Sequence, residues 1–429
     1  MTINKYKIWL LLLLFSFSYE KPLIILSSMD KLNPRLFDVV LMLGLLITYG
    51  NKSSFNDEIY KKWCCIIAWF SICVMLGFLL FNIALDTKFF MLYYLLEYYK
   101  GVLALFILFK VPSGKVCLDD IFYPILYGGV FVSVYCIYEI TVGIEQVVLS
   151  DTLVLNKPRW LVWGPFVGAY FHIAVYMPLV TTLLFSKLVS SRGNKLGWFV
   201  LFIFCSWPIF FCGSRTAIFL WLATILCVTY YNKKNRFAFF VGLASVIPLI
   251  FVLFTSKSLS GNDTINRLQS FESNASNHTD NSIVSRALYA ANFGLTEYDE
   301  HTLLPLIGGG FYVAPVGGNA RIGYGFHNIY FFIFEQSGFI GLFLFLVFII
   351  SFLKKGLRFL NIEYKDTYYW FILAVVAYMV SSLILGWAGH TFWRGFATSN
   401  FNTLRVLLLV VVSCYISKTH FIKNPTRRV

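Results

Sequence analysis

The chain has 429 residues, of which 58% are hydrophobic, 19% aromatic and 13% charged. Soluble globular domains carry about 25% charged residues, so this composition excludes an ordinary soluble protein. A formal net charge of +14 is also found in nucleic-acid-binding proteins, but no soluble basic domain accompanies it here. We therefore interpret the charge as a topology signal with attraction to anionic membrane lipids, and expect no nucleic acid among the partners.

Apolar segments suited to crossing a hydrocarbon core of about 30 Å recur along the chain. They predict an all-α polytopic membrane protein with about twelve transmembrane helices, forming a single integral membrane domain over 1–429. The predicted spans are 8–28, 36–49, 63–85, 89–109, 121–144, 160–186, 196–212, 216–231, 238–254, 326–352, 369–389 and 404–417.

The first span follows Lys5 and Lys7 and ends without a small-residue cleavage pattern, so we expect it to remain uncleaved. With a cytoplasmic N-terminus, the same side collects the basic loops near 52–62, 110–115, 187–195, 233–236 and 354–365 and the tail. This positive-inside bias predicts that both termini are cytoplasmic. The Gly-, Ser- and Asn-rich segment 255–325 then forms one long extracytoplasmic (periplasmic) loop containing short helices.

Nine cysteines lie mainly inside predicted spans, and no C-x-x-C pattern occurs. We interpret them as small core side chains, with no metal site and no cofactor. Glu97 and Lys100 are the charges placed in the middle of a span, three residues apart and able to pair on one helical face. Because charges at that depth occur in transporters, they leave open a transporter or flippase of a lipid-linked oligosaccharide.

Eight arginines are predicted on or close to the extracytoplasmic side, among them Arg215 at the start of a helix in GSRTA. A guanidinium matches phosphate oxygens with a planar fork, and the helix N-terminus also favours an anion, so Arg215 is a candidate phosphate ligand. Ser214 and Thr216 are candidate caps of the following helix. A lipid-anchoring arginine is the alternative. The eight are Arg35, Arg159, Arg215, Arg267, Arg286, Arg321, Arg394 and Arg405.

Within the loop, Arg286 lies in SIVSRALYAANFGL, whose apolar spacing predicts a short amphipathic helix. Arg286 is either a second anion ligand or a solvated surface charge. The following LLPLIGGG contains Pro305 and Gly308 to Gly310, which break regular structure and allow a backbone to approach a ligand closely.

His327 and Glu335 flank the start of the next apolar segment, FHNIYFFIFEQSGFIGLFLFL, from Phe326 to Leu346. Eight residues apart, they are predicted near one helical face at the mouth of the membrane helix. His327 is a candidate proton acceptor, because an imidazole pKa near 6.5 suits a general base, or else an interfacial helix cap. Glu335 either orients an Arg or His or holds helices together, and we favour the structural role slightly.

Arg159 in LNKPRW and Arg394 in WAGHTFWRGF are predicted on the same side and are candidates for further diphosphate or acceptor contacts. Trp393 offers an aromatic face of the kind that stacks on sugars, although interfacial aromatic belts explain it nearly as well.

These motifs, in the order SRTA, SRALYAANFGL, PLIGGG and HNIYFFIFEQSGFIGLFLFL, resemble the bacterial O-antigen ligase and O-antigen polymerase superfamily of membrane glycan transferases. About 200 residues, from Gly213 to near Gly389, carry the resemblance. It implies about twelve helices, a long periplasmic loop, two essential arginines, a histidine and no metal requirement, in an enzyme of the bacterial inner membrane.

The resemblance implies a metal-independent glycosyltransferase whose donor is a glycan on undecaprenyl diphosphate. Arg215 and Arg286 would hold the diphosphate, and His327 would orient or deprotonate the attacking sugar hydroxyl. The acceptor would be another glycan, as in an O-antigen polymerase, or the lipid A core, as in an O-antigen ligase of lipopolysaccharide biosynthesis. The polymerase is favoured by the short loop and the form of the last motif. Other polysaccharide assembly proteins are further candidate partners.

Overall fold

The computed structural model describes residues 4–21, 23–24, 34–52, 57–80, 85–112, 114–142, 162–166, 172–190, 194–212, 214–232, 304–308, 329–363, 366–386 and 399–417. Within these ranges the regular structure is helical. The helices are α1 (Lys5–Ser16), α2 (Leu36–Thr48), α3 (Glu58–Leu80), α4 (Leu85–Phe109), α5 (Asp119–Val142), α6 (Ile173–Ser190), α7 (Lys195–Phe211), α8 (Arg215–Tyr231), α9 (Leu304–Ile307), α10 (Ile329–Ile362), α11 (Tyr369–Leu385) and α12 (Ser399–Ile416).

The predicted all-α class is confirmed, since helices occupy eleven of the predicted spans. The remaining span, 238–254, lies outside the described residues. Four helical stretches are long and apolar enough to cross a membrane, and α9 is a short helix in the predicted loop 255–325. The apolar helices indicate an integral membrane protein, while the total of twelve spans stays a prediction. The four stretches are Glu58–Leu76, Asp119–Val142, Ile173–Ser190 and Gln336–Ile362.

Two predicted span boundaries differ most from the observed helices, and α10 also extends ten residues beyond its predicted end at 352. The first helix ends at Ser16 and not near residue 28, and Glu20 and Lys21 beyond it contact α5 and the chain before α6. The sixth helix starts at Ile173 and not at 160, because Gly164 has φ +71° and Pro165 follows it. Polar or helix-breaking residues lie beyond the end of α1 and before the start of α6, and tertiary contacts satisfy backbone groups there.

The helices run alternately between two ends of one bundle. We call the end at which α1, α5, α7 and α11 finish the Arg215 end, because Arg215 begins α8 there. The opposite end, where α3 starts, is the Asp57 end. Antiparallel neighbours close both ends: the Ile329 N–H donates to Gly386 O (2.9 Å) at the first, and the Tyr369 hydroxyl donates to Tyr231 O (3.4 Å) at the second.

Charged groups hold the Asp57 end together. The Asp57 carboxylate accepts the Ile59 and Tyr60 N–H groups (2.8 and 3.1 Å), which caps α3, and also the Ser413 hydroxyl of α12 (3.0 Å). On the other side of the same end, Lys7 of α1 pairs with Asp120 of α5 at 2.7 Å. These bonds tie helices that are distant in sequence.

Tyr368, which precedes α11, extends this network by donating to Asp119 at 2.8 Å. Burial and the neighbouring carboxylate raise the pKa of the Tyr368 hydroxyl, so this phenol stays protonated and remains a donor.

Lys100, predicted in midspan on α4, forms an ion pair with Asp38 of α2 at 2.8 Å. The sequence predicts Glu97 as a candidate partner of Lys100; the Glu97 side chain lies outside the described residues. The Lys100 charge therefore joins two neighbouring helices, which is a structural role.

The long helix α10 is interrupted at Gly338, whose φ of 63° and ψ of −170° are accessible essentially to glycine alone. Gly308, with φ +75°, follows the short helix α9 and lies directly against this interruption. A Cβ on Gly338 would lie 2.6 Å from the backbone N of Gly308, and the Leu306 backbone would be nearer still. Two glycines thus let two backbones touch, and Trp69 Nε1–H donates to the Ser337 carbonyl beside the break (2.9 Å).

We expect Gly338→Ala to destabilise the protein more than Gly50→Ala. Both positions have positive φ, but a Cβ at Gly50 (φ +80°) would meet nothing within 4 Å. Gly50→Ala should therefore cost only backbone strain, about 1–2 kcal/mol, whereas Gly338→Ala must also displace α9. Apparent melting temperatures in one detergent measure the difference. Equal shifts for the two variants would contradict the contact between α9 and the break.

Candidate functional site

The start of α8 is the predicted site element that the structure describes most fully. Ser214 is the N-cap residue, with extended φ and ψ, and its side-chain oxygen accepts the Ala217 N–H at 3.3 Å. Arg215 is the first helical residue. The predicted cap is thereby confirmed for Ser214, while Thr216 lies within the helix. The arrangement places the backbone of a permanently charged residue at the positive end of a 17-residue helix.

The start of α10 is the second predicted element. The helix begins at Ile329, whose N–H bonds Gly386 O, and the Tyr330 hydroxyl donates to Leu383 O at 2.8 Å. Glu335 lies three residues before the Gly338 break; its side chain lies outside the described residues. The first two turns of α10 are therefore a separate short helix, tied to the end of α11 and followed by a fixed bend.

The glycine-rich turn after α9 has a different role from the one predicted at Gly308. The sequence predicts that Gly308 to Gly310 allow the backbone to approach a ligand closely. Gly308 instead approaches the backbone of α10 at the bend, because it lies directly against Ser337 and Gly338. Gly309 and Gly310 lie outside the described residues.

Most predicted site side chains lie outside the described residues, so their predicted roles stay predictions. The backbone of Arg215 and of Glu335 is placed at the starts of α8 and α10, both at the Arg215 end. The predicted site residues outside the described ranges are Arg159, Arg286, His327, Trp393 and Arg394.

Two other arginines from the predicted extracytoplasmic set are described. Arg35 is the N-cap residue of α2, and its N–H donates to Asp38 at 3.0 Å. Arg405 is buried inside the bundle on α12, beside the Tyr378 hydroxyl. The sequence predicts Arg405 on or close to the extracytoplasmic side; in the structure it lies almost two turns into α12, counted from Ser399 at the Arg215 end.

A buried polar cluster at the Arg215 end was missed by the sequence interpretation. Its centre is Glu139, in the last turn of α5 and 1% exposed. One carboxylate oxygen accepts the Trp163 and Gly164 N–H groups at 2.9 and 2.8 Å. Lys21 lies on the same face of α5, since its ammonium donates to the Tyr135 hydroxyl at 2.7 Å, one turn before Glu139. The Lys21 charge attracts the Glu139 carboxylate.

A second pair lies beside this cluster. Glu20 and His172 are both buried, with 2.6 Å between a Glu20 carboxylate oxygen and His172 Nδ1. The Glu20 N–H donates to Pro165 O at 3.0 Å, and the Phe166 ring packs edge-on against His172. Residues 162–166, which we call the WGP segment, therefore lie between two buried acidic side chains.

The WGP segment also contacts α7 directly. The Val162 N–H donates to the carbonyl of Phe211, the last residue of α7, at 3.0 Å. Three residues further along the chain is Ser214, the cap of α8. The local sequence signal for this segment was the W-G-P sequence, whose glycine and proline favour a turn over the predicted helix.

Comparison with known families identifies a match over residues 200–346, to the family described as O-antigen ligase. The match covers about a third of the chain and runs from α7 to the first half of α10. It includes four of the predicted site residues, Arg215, Arg286, His327 and Glu335, and excludes Arg159, Trp393 and Arg394. A comparison with curated proteins gives no significant match.

We expect Ser214→Ala to lower the stability of the protein by about 1 kcal/mol, because it removes the acceptor for the Ala217 N–H. Ser214→Asn should retain most of the stability of the unsubstituted protein, because an Asn side chain can also accept the Ala217 N–H. Asn194→Ala is a comparison variant, since Asn194 caps α7 at the Asp57 end by accepting the Gly197 N–H at 3.2 Å. Asn194 also has φ 41°, so Ala there adds left-handed strain, and its apparent melting temperature should fall further than that of Ser214→Ala. No loss for Ser214→Ala would contradict the cap.

Proposed function

We propose that this chain, a member of the O-antigen ligase and polymerase superfamily, transfers a glycan from undecaprenyl diphosphate to a sugar hydroxyl on the periplasmic side of the inner membrane. One observation supports the proposal most directly: the residues that match the family include the start of α8. The matched residues include Arg215, which begins a helix capped by Ser214. A diphosphate is the anion that such a position favours.

The proposed reaction mainly requires that the donor and the acceptor hydroxyl be positioned and that the charge on the leaving diphosphate be stabilised. The acceptor hydroxyl oxygen forms a bond to the anomeric carbon of the donor, while the bond from that carbon to the diphosphate breaks. The lipid diphosphate leaves with the electron pair. On this proposal Arg215 and Arg286 bind its oxygens, and His327 accepts the hydroxyl proton. The reaction then proceeds without a metal ion.

The remaining predicted residues have supporting roles in this proposal. Arg159, Arg394 and Trp393 contact the diphosphate or the glycan. Glu335 lies in the short first part of α10, which the Gly338 break separates from the rest. On this proposal the Glu335 carboxylate orients His327 or Arg286, or holds helices together.

The proposed orientation places the Asp57 end in the cytoplasm together with both termini. Basic residues described at that end support it. Lys7 pairs there with Asp120, and Lys62 and Lys355 both pair with Glu58. The Arg215 end then faces the periplasm, as the donor requires.

We favour a polymerase, because the short loop and the form of the last sequence motif support it. The ligase is the second candidate, and the description of the matched family favours it. A transporter of lipid-linked oligosaccharide is more remote, because the midspan Lys100 that suggested it pairs with Asp38 of the adjacent helix.

The lipopolysaccharide banding pattern of a deletion strain distinguishes the two enzymes. For a polymerase we expect core carrying a single repeat unit. Core without any repeat, with accumulated polymeric lipid-linked glycan, would identify a ligase. An unchanged ladder would contradict both. Complementation with His327→Ala should fail although the protein accumulates in the membrane at the wild-type level, because the proton acceptor is lost.

For Arg215→Lys we expect transfer to fall by about tenfold or more, since an ammonium cannot replace the planar fork on two phosphate oxygens. Arg358→Lys, exposed on α10 at the Asp57 end, is the matched control and should retain full activity. Transfer is measured with purified protein and a lipid-diphosphate-linked donor. Full activity of Arg215→Lys would remove the bidentate phosphate contact from the proposal.

A further inference from the structure

Glu139 is a buried carboxylate that the proposed reaction does not use. It belongs to α5, outside the matched residues 200–346. Its Oε2 accepts two consecutive backbone N–H groups, those of Trp163 and Gly164. Gly164 has φ +71°, and a Cβ there would lie 3.1 Å from the side chains of Phe166 and Ile173. The two bonds therefore hold the WGP segment in a tight turn that only glycine accommodates comfortably.

The turn transmits this constraint to α7 and α8. The residue before Trp163 is Val162, whose N–H donates to Phe211 O at the end of α7 (3.0 Å). Only Cys212 and Gly213 separate Phe211 from Ser214, the N-cap of α8, and Arg215 follows directly. A continuous path of backbone and hydrogen bonds thus leads from the Glu139 carboxylate to Arg215.

We propose that Glu139 is a positioning residue: through the WGP segment it fixes the end of α7 and thereby the start of α8 with Arg215. This inference rests on the proposed function only in the role of Arg215 as a diphosphate ligand. The placement of the α8 start by Glu139 is independent of it. A carboxyl side chain suits the task, because one of its oxygens has two lone pairs and can accept both N–H groups at once.

Asp57 provides a matched comparison within the same chain. It is 3% exposed, against 1% for Glu139, and one of its oxygens also accepts two backbone N–H groups. Its other oxygen accepts the Ser413 hydroxyl, so it ties α3 to α12 at the opposite end of the bundle. Removing Asp57 should therefore loosen that end and leave the α7–α8 junction unchanged.

The second oxygen of Glu139 determines which substitution preserves the role. Oε1 is buried and accepts no hydrogen bond from the residues that the structure describes. In Glu139→Gln the amide oxygen can still accept the Trp163 and Gly164 N–H groups, and the NH₂ group takes the place of Oε1. Glu139→Ala removes the acceptor entirely.

The test uses the full-length protein in lipid nanodiscs and two independent readouts. Hydrogen–deuterium exchange reports the amides of 162–164 and of 214–217, and a transfer assay reports the KM for the lipid-diphosphate-linked donor. We expect Glu139→Ala to accelerate exchange in both segments and to raise the donor KM about tenfold. Glu139→Gln should stay within about threefold of wild type. Asp57→Ala should lower the melting temperature without changing either segment or the KM.

Unchanged exchange at 214–217 in folded Glu139→Ala would overturn the inference, and so would a Glu139→Gln variant as defective as Glu139→Ala. If Glu139→Ala does not accumulate, Glu139→Asp replaces it, since its carboxylate is one methylene shorter and should give the same accelerated exchange. Failure of the proposed function is recognised separately: Arg215→Ala would then leave the donor KM unchanged, whereas the exchange data would still decide the placement of α8.

Discussion

A polar group buried between apolar helices must be paired, and this constraint determines how the bundle of this protein is held at its two ends. At the Asp57 end a carboxylate caps α3 and reaches the Ser413 hydroxyl on α12. At the Arg215 end Glu139 accepts two backbone N–H groups of a turn 24 and 25 residues away. Apolar packing is non-directional, whereas these bonds specify which helix ends meet.

The bend in α10 shows a second way in which the Arg215 end is shaped. In a straight helix from Ile329 to Ile362, the first turns would share one axis with the rest of the helix. The break at Gly338 redirects them, and the backbone of α9 occupies the space against the break. Since α9 belongs to the predicted loop, the loop is anchored to the same helix whose start lies two residues after His327. Contact between two backbones tolerates little displacement, because neither side has a flexible side chain to move.

The proposed catalytic arrangement depends on both features. On the proposal, Arg215 at the capped start of α8 acts with His327, which precedes α10 by two residues in the sequence, so the segments that support the two helix starts become important. The WGP segment supports the first, and α9 with the end of α11 supports the second. Preorganised charge of this kind is the main contribution a protein makes to transfer from a lipid diphosphate, whose leaving group is already good.

The sequence by itself determined the class of the protein, the helix positions and the capped start of α8. Hydrophobic segments and an S-R-T-A motif act locally, over one span or one turn, so no partner needs to be known. The family resemblance also followed from local motifs, and the match over residues 200–346 agrees with it.

Tertiary structure alone decided which partner Lys100 takes and what Gly308 contacts. It also assigned a role to Glu139, a residue that looked like any polar position in a membrane helix. In each case the partner lies far away in sequence: Asp38 for Lys100, Gly338 for Gly308, and the WGP turn for Glu139. A hydrogen bond or backbone contact between such residues exists only after the helices have packed, and periodicity along the chain carries no information about it.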